Sequence, residues 1–404
     1  MILQKLKKDG IDIQNCRGQA YDNAAVMAGQ HTGVQKRIKE INPKVEFVAC
    51  TNHSLNLAGV HAASVAVNSV TFFGTMERLF LFFSSSTHRW DVLTSATGQD
   101  VKRLIETRWS ARGDAVSVVR KAYSKILTVL EDLTGEKENG TTRSDAGVLL
   151  AALQSFSFLC FLGFWDSVLK EINDSQAYLQ TKKLNLQQCD LKLQALRAFL
   201  MENRDQLIDN SVTYAKGICD DLGIAMDRRC RKKKTMAGET AGDAGLSYET
   251  ELRRDMYHSL DRVIQEITTR FEQLHNLAEK YVFLNPSNLV NLEFDHYLSD
   301  VHDDEIIAEE FNIERKRLQH FISVVTSQGD TETWKDGPLE LLQFIFTYHL
   351  ENSVPNIVIL LRIFLTIAVS VAGCEEFLKT KANQKLFAIY NEYFTFTKSC
   401  HFVY

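Results

Sequence analysis

Helix breakers are scarce in this chain: 4 prolines and 20 glycines occur among 404 residues. That scarcity argues against a sandwich of many short strands and for long helices. A surplus of positive charge is also absent. Lys and Arg total 46 against 51 Asp and Glu, a formal net charge of −5. This excludes a uniformly basic nucleic-acid binder and leaves a local basic patch open. The eight cysteines, at 16, 50, 160, 189, 219, 230, 374 and 400, form no C-x-x-C pair. The first eight residues hold no apolar signal core. The scattered cysteines therefore read as free, mostly buried thiols in a reducing compartment. Long uninterrupted apolar runs are missing too. Gln154, Ser155 and Ser157 break residues 148–165, and Asn356 and Arg362 fall within 356–372. Each run is at the short edge of the ~17–25 residues a spanning helix needs, and a mid-helix Arg costs about 2.5–3.5 kcal/mol on insertion. Both are expected to be buried core helices. No repeat recurs at a period of 20–50 residues.

What is present reads in three textures. The composition is 45% apolar and 24% charged, which is globular, and the length allows two or three domains. Residues 11–22 carry a short extended signal ending at Asp22. Residues 23–40 read as one helix, with Asn23 near its N-cap and Val26, Met27, Val34 and Ile38 on its apolar side. Val45 to Ala49 reads as a strand, and a helix follows from about His53. This rhythm points to an α/β core. From about 70 to 280 strand signals almost vanish. Tyr248, Leu252, Met256, Leu260, Val263, Ile264, Ile267, Phe271, Leu274 and Leu277 recur at three- and four-residue steps, the mark of a long amphipathic helix. Residues 144–170 and 184–200 also read as helices, and 227–247 as a surface loop. Further on, the acidic run Asp303, Asp304, Glu305, Glu309, Glu310 and Glu314 reads as the solvated face of a helix. Residues 338–350 and 356–367 read as apolar helices parted by Pro355, and 377–404 is rich in aromatics.

Single residues with chemical potential each carry two readings. Asp22, where a strand gives way to a helix, can ligate Mg²⁺ or cap the helix, and spacing alone favours the cap. Cys50 and His53 stand three apart at a strand–helix junction. Two ligands do not make a zinc site, so His53 is read as a hydrogen-bonded residue near a helix start. Arg108 and Trp109 set a guanidinium beside an indole, which can grip a phosphate and stack a base, or simply be a half-buried Trp with a surface Arg. Arg228, Arg229, Arg231, Lys232, Lys233 and Lys234 form the densest positive run. It reads as a nuclear-import signal, a phosphate contact or a solvated loop.

The order of these motifs carries more than any one of them. Residues 16–63 run C-R-G-Q-A-Y-D-N-A to C-T-N-H-S-L-N-L. F-F-S-S-S-T-H-R-W-D-V-L follows at 82–93, E-T-R-W-S-A-R-G at 106–113, and V-P-N-I-V-I-L-L-R-I-F-L-T to G-C-E-E-F at 354–377. The series resembles the hAT superfamily of cut-and-paste DNA transposases, in the group related to zinc finger MYM-type protein 1 and the TTF-type zinc-finger proteins. The resemblance implies an α/β ribonuclease H-like core interrupted by a large all-α insertion, helix-dominated overall. It divides the chain into 1–97 (first part of the core), 98–288 (the insertion, with a basic loop at 227–247) and 289–404 (the rest of the core and a degenerate dimerisation region). It also implies a nuclease with two Asp and one Glu holding two Mg²⁺ ions about 3.5–4 Å apart. Asp22 matches the second Asp, Cys50 and His53 the C-x-x-H element beside the active site, and Arg108 and Trp109 the R-W element whose Trp stacks on a flipped base. Glu375 aligns with the catalytic Glu.

Departures from the family pattern shape the functional expectation. The family's first catalytic Asp and its zinc-finger region lie upstream of the residues matched here, so the core is expected to lack its first strands. Glu376 stands where Arg is usual and Ala368 where Pro is usual. The expectation is a catalytically inactive, transposase-derived nuclear protein without a cofactor. It would act through self-association at its C-terminal region, partner binding or DNA binding, with no membrane or small-molecule substrate. An active Mg²⁺-dependent transposase and a purely structural interaction module are the alternatives.

Overall fold

The structure is a computed structural model that describes residues 2–98, 109–181, 184–227, 247–291, 306–327 and 337–369. Helices dominate it. The first elements are α1 (Ile2–Lys8), β1 (Gly18–Tyr21), α2 (Ala25–Ala28), α3 (Val34–Ile41), β2 (Glu46–Ala49), α4 (Thr51–Ala63), α5 (Val67–Ser84) and α6 (Thr87–Thr97). Next come α7 (Trp109–Lys121), α8 (Tyr123–Asp132), α9 (Gly140–Leu153), α10 (Phe156–Leu179), α11 (Leu186–Glu202) and α12 (Arg204–Leu222). The last are α13 (Tyr248–Lys280), α14 (Pro286–Asn291), α15 (Ala308–Ser327), α16 (Pro338–Thr347) and α17 (Pro355–Thr366). The chain divides into two compact units. Unit 1 is Met1–Ser54, Leu179–Lys192 and Phe271–Tyr404; unit 2 is Leu55–Tyr178 and Leu193–Arg270.

Unit 1 contains the strands. β1 and β2 pair in parallel, Gly18 opposite Glu46 through Tyr21 opposite Ala49. A parallel pair needs a crossover connection, supplied here by α2 and α3. Every residue of β1 is buried, and Tyr21 stacks on Phe47 at 6.1 Å between ring centroids. Cys16, Ile38 and Val45 complete that core. The buried Asn42 side chain donates to the carbonyls of Ile13, Gln14 and Cys16, which pins the approach to β1. Two expectations change here. The single helix over 23–40 is two helices: the backbone turns extended at Gly29 (ψ 131°) and Gly33 (ψ 161°), which approach so closely that a Cβ on either would collide with backbone. Val26 is 76% exposed rather than packed on an apolar face.

The second half of unit 1 is built on α15, α16 and α17. Ile357, Val358, Leu360, Leu361, Ile363 and Phe364 of α17 are all buried. Phe321, Phe344 and Tyr348 form an aromatic cluster. Glu309 and Glu310 are exposed, as the acidic run predicts. Glu314 is not: it is 2% exposed. Its carboxylate accepts hydrogen bonds from Asn356 Nδ2 (2.6 Å) and the Ile357 amide (3.1 Å), so it caps α17. Pro355 at the first turn removes an amide that would need a partner. A Cβ on Gly18 would lie 2.8 Å from the Thr366 carbonyl oxygen, so only glycine lets the end of α17 approach β1 this closely.

Among its described residues, every regular element of unit 2 is a helix. Trp165 is fully buried and donates from Nε1 to Ser69 Oγ (3.1 Å). Phe73 packs against it at 5.2 Å between centroids, and Phe72 in turn contacts Phe73 and Phe158. The apolar stretch 148–165 is broken between α9 and α10, where Ser155 Oγ accepts from the Phe158 amide. Leu252, Met256, Leu260, Val263 and Ile267 form the buried stripe of α13, in the register the periodicity predicts. Among the described residues no single helix is long and apolar enough to cross a membrane; the pairs α4–α5 and α9–α10 pass together by composition but bend by 109° and 69°. The described cysteines, Cys16, Cys50, Cys160, Cys189 and Cys219, are buried thiols outside any disulfide.

Candidate functional site

The C-terminal ends of parallel strands leave backbone and side chains pointing outward, and open α/β sheets bind ligands there. β1 ends at Tyr21, and β2 pairs Ala49 with it. The next residues, Asp22 and Cys50, are therefore neighbours across the pair, and the Cys50 amide donates to the Tyr21 carbonyl (2.8 Å). Asp22 is exposed, and its Oδ1 accepts from the Ala24 amide (3.2 Å), a local turn cap. Asn23 does not cap a helix. Its side chain instead bonds the Ser54 hydroxyl (3.0 Å). Cys50 is buried, with its carbonyl accepting from the Ser54 amide, and His53 is half-buried on the first turn of α4. The end of α17 reaches the same place. Thr51 donates from both its amide (3.2 Å) and its hydroxyl (2.9 Å) to the Val369 carbonyl.

The structure thus brings Asp22, Cys50 and His53 to one edge of the strand pair. Arg108, Arg228, Arg229, Arg231, Lys232, Lys233, Lys234 and Glu375 lie outside the described residues; Trp109 begins α7. Among the described residues no three His, Cys, Asp or Glu side chains converge as a metal site. A two-metal centre needs bridging carboxylates; of the two residues matched to that role, Asp22 is among the described residues and Glu375 is not.

Unit 2 holds a cluster that motif reading missed. Glu266 on α13 has a side chain only 10% exposed. Its Oε1 lies 2.6 Å from Arg262 Nη2 and 3.2 Å from His61 Nδ1. Its Oε2 accepts from Arg270 Nε at 2.6 Å. Arg270 Nη2 is 3.2 Å from His61 Nδ1. Burial pushes the Glu266 carboxyl up, but hydrogen bonds from Arg270 and His61 outweigh it and hold the group below its ordinary value. Arg at i−4 and i+4 around a Glu is visible in sequence. His61, about 200 residues away in the chain, gives no such signal. With Gln265 and Thr269 these residues line a cavity of about 420 Å³.

Comparison with known proteins gives a distant likeness. No family model matches the chain, and no solved structure matches it. The chain is similar to the 52 kDa repressor of the inhibitor of the protein kinase from Homo sapiens, 23% identical over 351 residues. The protein of that name from Mus musculus is 22% identical over 346 residues. Each match covers 78% of this chain and 44% of the relative, so the chain spans less than half of the curated relatives it matches. This similarity supports the broad hAT-derived group.

Proposed function

We propose that this chain is a hAT transposase-derived protein that acts by binding, to DNA and to a second copy of itself or a partner, and does not cut DNA. One observation carries the reading. The likeness extends over 351 residues to a protein named for repression rather than for strand cleavage. The parallel βαβ unit with Asp22 at its strand end is what a ribonuclease H-like core would supply, and the long helices of unit 2 are what its insertion would supply. The finer kinship, to the zinc finger MYM-type and TTF-type groups, rests on the motif order of residues 16–116. Nuclear residence follows from the same kinship and from Arg228 to Lys234. The changes at Ala368 and Glu376 favour a binding role over a working nuclease. Fluorescence anisotropy of a labelled 30-base-pair duplex with the purified chain in EDTA tests the reading. Binding that weakens steeply with salt is expected; no binding at low salt overturns the DNA part of the proposal.

A second reading, an active Mg²⁺-dependent transposase, has one arrangement in its favour. The hydrogen bonds between Thr51 and Val369 bring the segment that leads toward Glu375 to the strand end where Asp22 stands.

A further inference from the structure

The cluster around Glu266 has more cation than it needs to satisfy its one acid. Arg262 and Arg270 together carry two positive charges, and Glu266 carries one negative. Both Glu266 oxygens are taken, Oε1 by Arg262 and His61 and Oε2 by Arg270. A nearly buried carboxylate bonded to two guanidiniums fixes their direction, which lowers the entropy cost of holding a further ligand. These groups stay within reach of solvent: the side chains of His61, Arg262 and Arg270 are 46%, 37% and 21% exposed. All six residues lining the cavity of about 420 Å³ are polar or charged. Two guanidiniums held by one carboxylate at the rim of this open depression suit an anionic group.

The surroundings point to a polymeric anion. His258, Arg262, Gln265 and Thr269 follow one another at three- and four-residue steps on α13, and His258, Gln265 and Thr269 are exposed. Eleven residues of helix span about 16 Å, room for two or three phosphates of one strand. Glu251 and Asp255 close this edge on its N-terminal side, and Asp255 is bonded to Asn68. We infer that His61, Arg262 and Arg270 form a phosphate-binding site on unit 2 that contacts the backbone of DNA. The inference rests on the DNA-binding reading above and names the surface that carries it. Contacts of this kind set affinity and salt dependence without reading sequence.

The test is anisotropy titration of the full chain with a labelled 30-base-pair duplex across 50–200 mM NaCl. Arg262→Gln/Arg270→Gln is expected to bind about tenfold more weakly at 0.1 M salt for each phosphate no longer neutralised, with the slope of log K against log salt reduced by about 1 per phosphate. Thr269→Lys adds a cation at the rim. It is expected to tighten binding and steepen the slope by about 1, a gain that misfolding cannot imitate. Unchanged affinity in both variants, with the parent still binding DNA, overturns this site and leaves the DNA-binding reading standing. A parent chain that binds no DNA overturns both.

Discussion

Glu314 ends an acidic run, yet its side chain is buried and holds the first turn of α17 through Asn356 and the Ile357 amide. Replacing it with Ala leaves two buried donors without an acceptor, a cost of about 1–3 kcal/mol for each. Glu314→Gln keeps one side-chain carbonyl and is expected to lose less. Urea denaturation checks this: the midpoint should fall in the order parent, Gln, Ala, and an Ala variant as stable as the parent would remove the cap from the account. In sequence, nothing separates Glu314 from Glu309 and Glu310, which do face solvent. Its partner lies about 40 residues away, and composition is blind to such pairings. Asp22 is the opposite case. A carboxylate where a strand gives way to a helix reads as a cap; its Oδ1 bonds the Ala24 amide in a local turn, and α2 itself starts at Ala25 without a side-chain cap. Asn23, beside it, is drawn off to Ser54 by the fold of the whole unit.

At the scale of elements, legibility follows the period and fails at breaks. The α13 stripe is visible because ten apolar residues repeat at helical steps, and such a stripe must be buried. The split of 23–40 turns on two glycines held close to neighbouring backbone. The α9–α10 break hides inside an apolar run, with Leu149 and Leu153 buried before it and Phe156 and Phe158 after it. The polar edge of α13 yields a test by pH. Glu266 has a folded-state value below its ordinary 4.5. A group depressed in this way prefers to be ionised in the folded chain. It therefore stabilises the fold fully above 4.5, and that contribution disappears as pH falls through the lower folded value. Thermal melts of parent and Glu266→Gln should differ at pH 7, and the gap should close below pH 4.5. A gap that is constant down to pH 3 would show that the His61–Arg262–Arg270 contacts do not depend on ionised Glu266.

For the molecule as a whole, the helical character is legible from four prolines and long periodic segments. The two strands are legible from the alternation around Val45 to Ala49 and from the extended signal over 11–22, of which only Gly18–Tyr21 forms a strand and Ile13–Asn15 a 3-10 turn. The grouping of residues 55–178 with 193–270, and of 1–54 with 179–192 and 271–404, is a matter of tertiary packing that no local pattern encodes. The functional account joins three things: the motif order of the first 116 residues, Asp22 and Cys50 side by side at the strand ends, and a distant likeness to a repressor. Its central claim is binding without cleavage. The most direct measurement is nicking of supercoiled plasmid by the purified chain in Mg²⁺, run beside Asp22→Ala. The account predicts DNA retention with no nicking by either protein. Mg²⁺-dependent nicking by the parent that Asp22→Ala abolishes would contradict it and establish the transposase reading in its place.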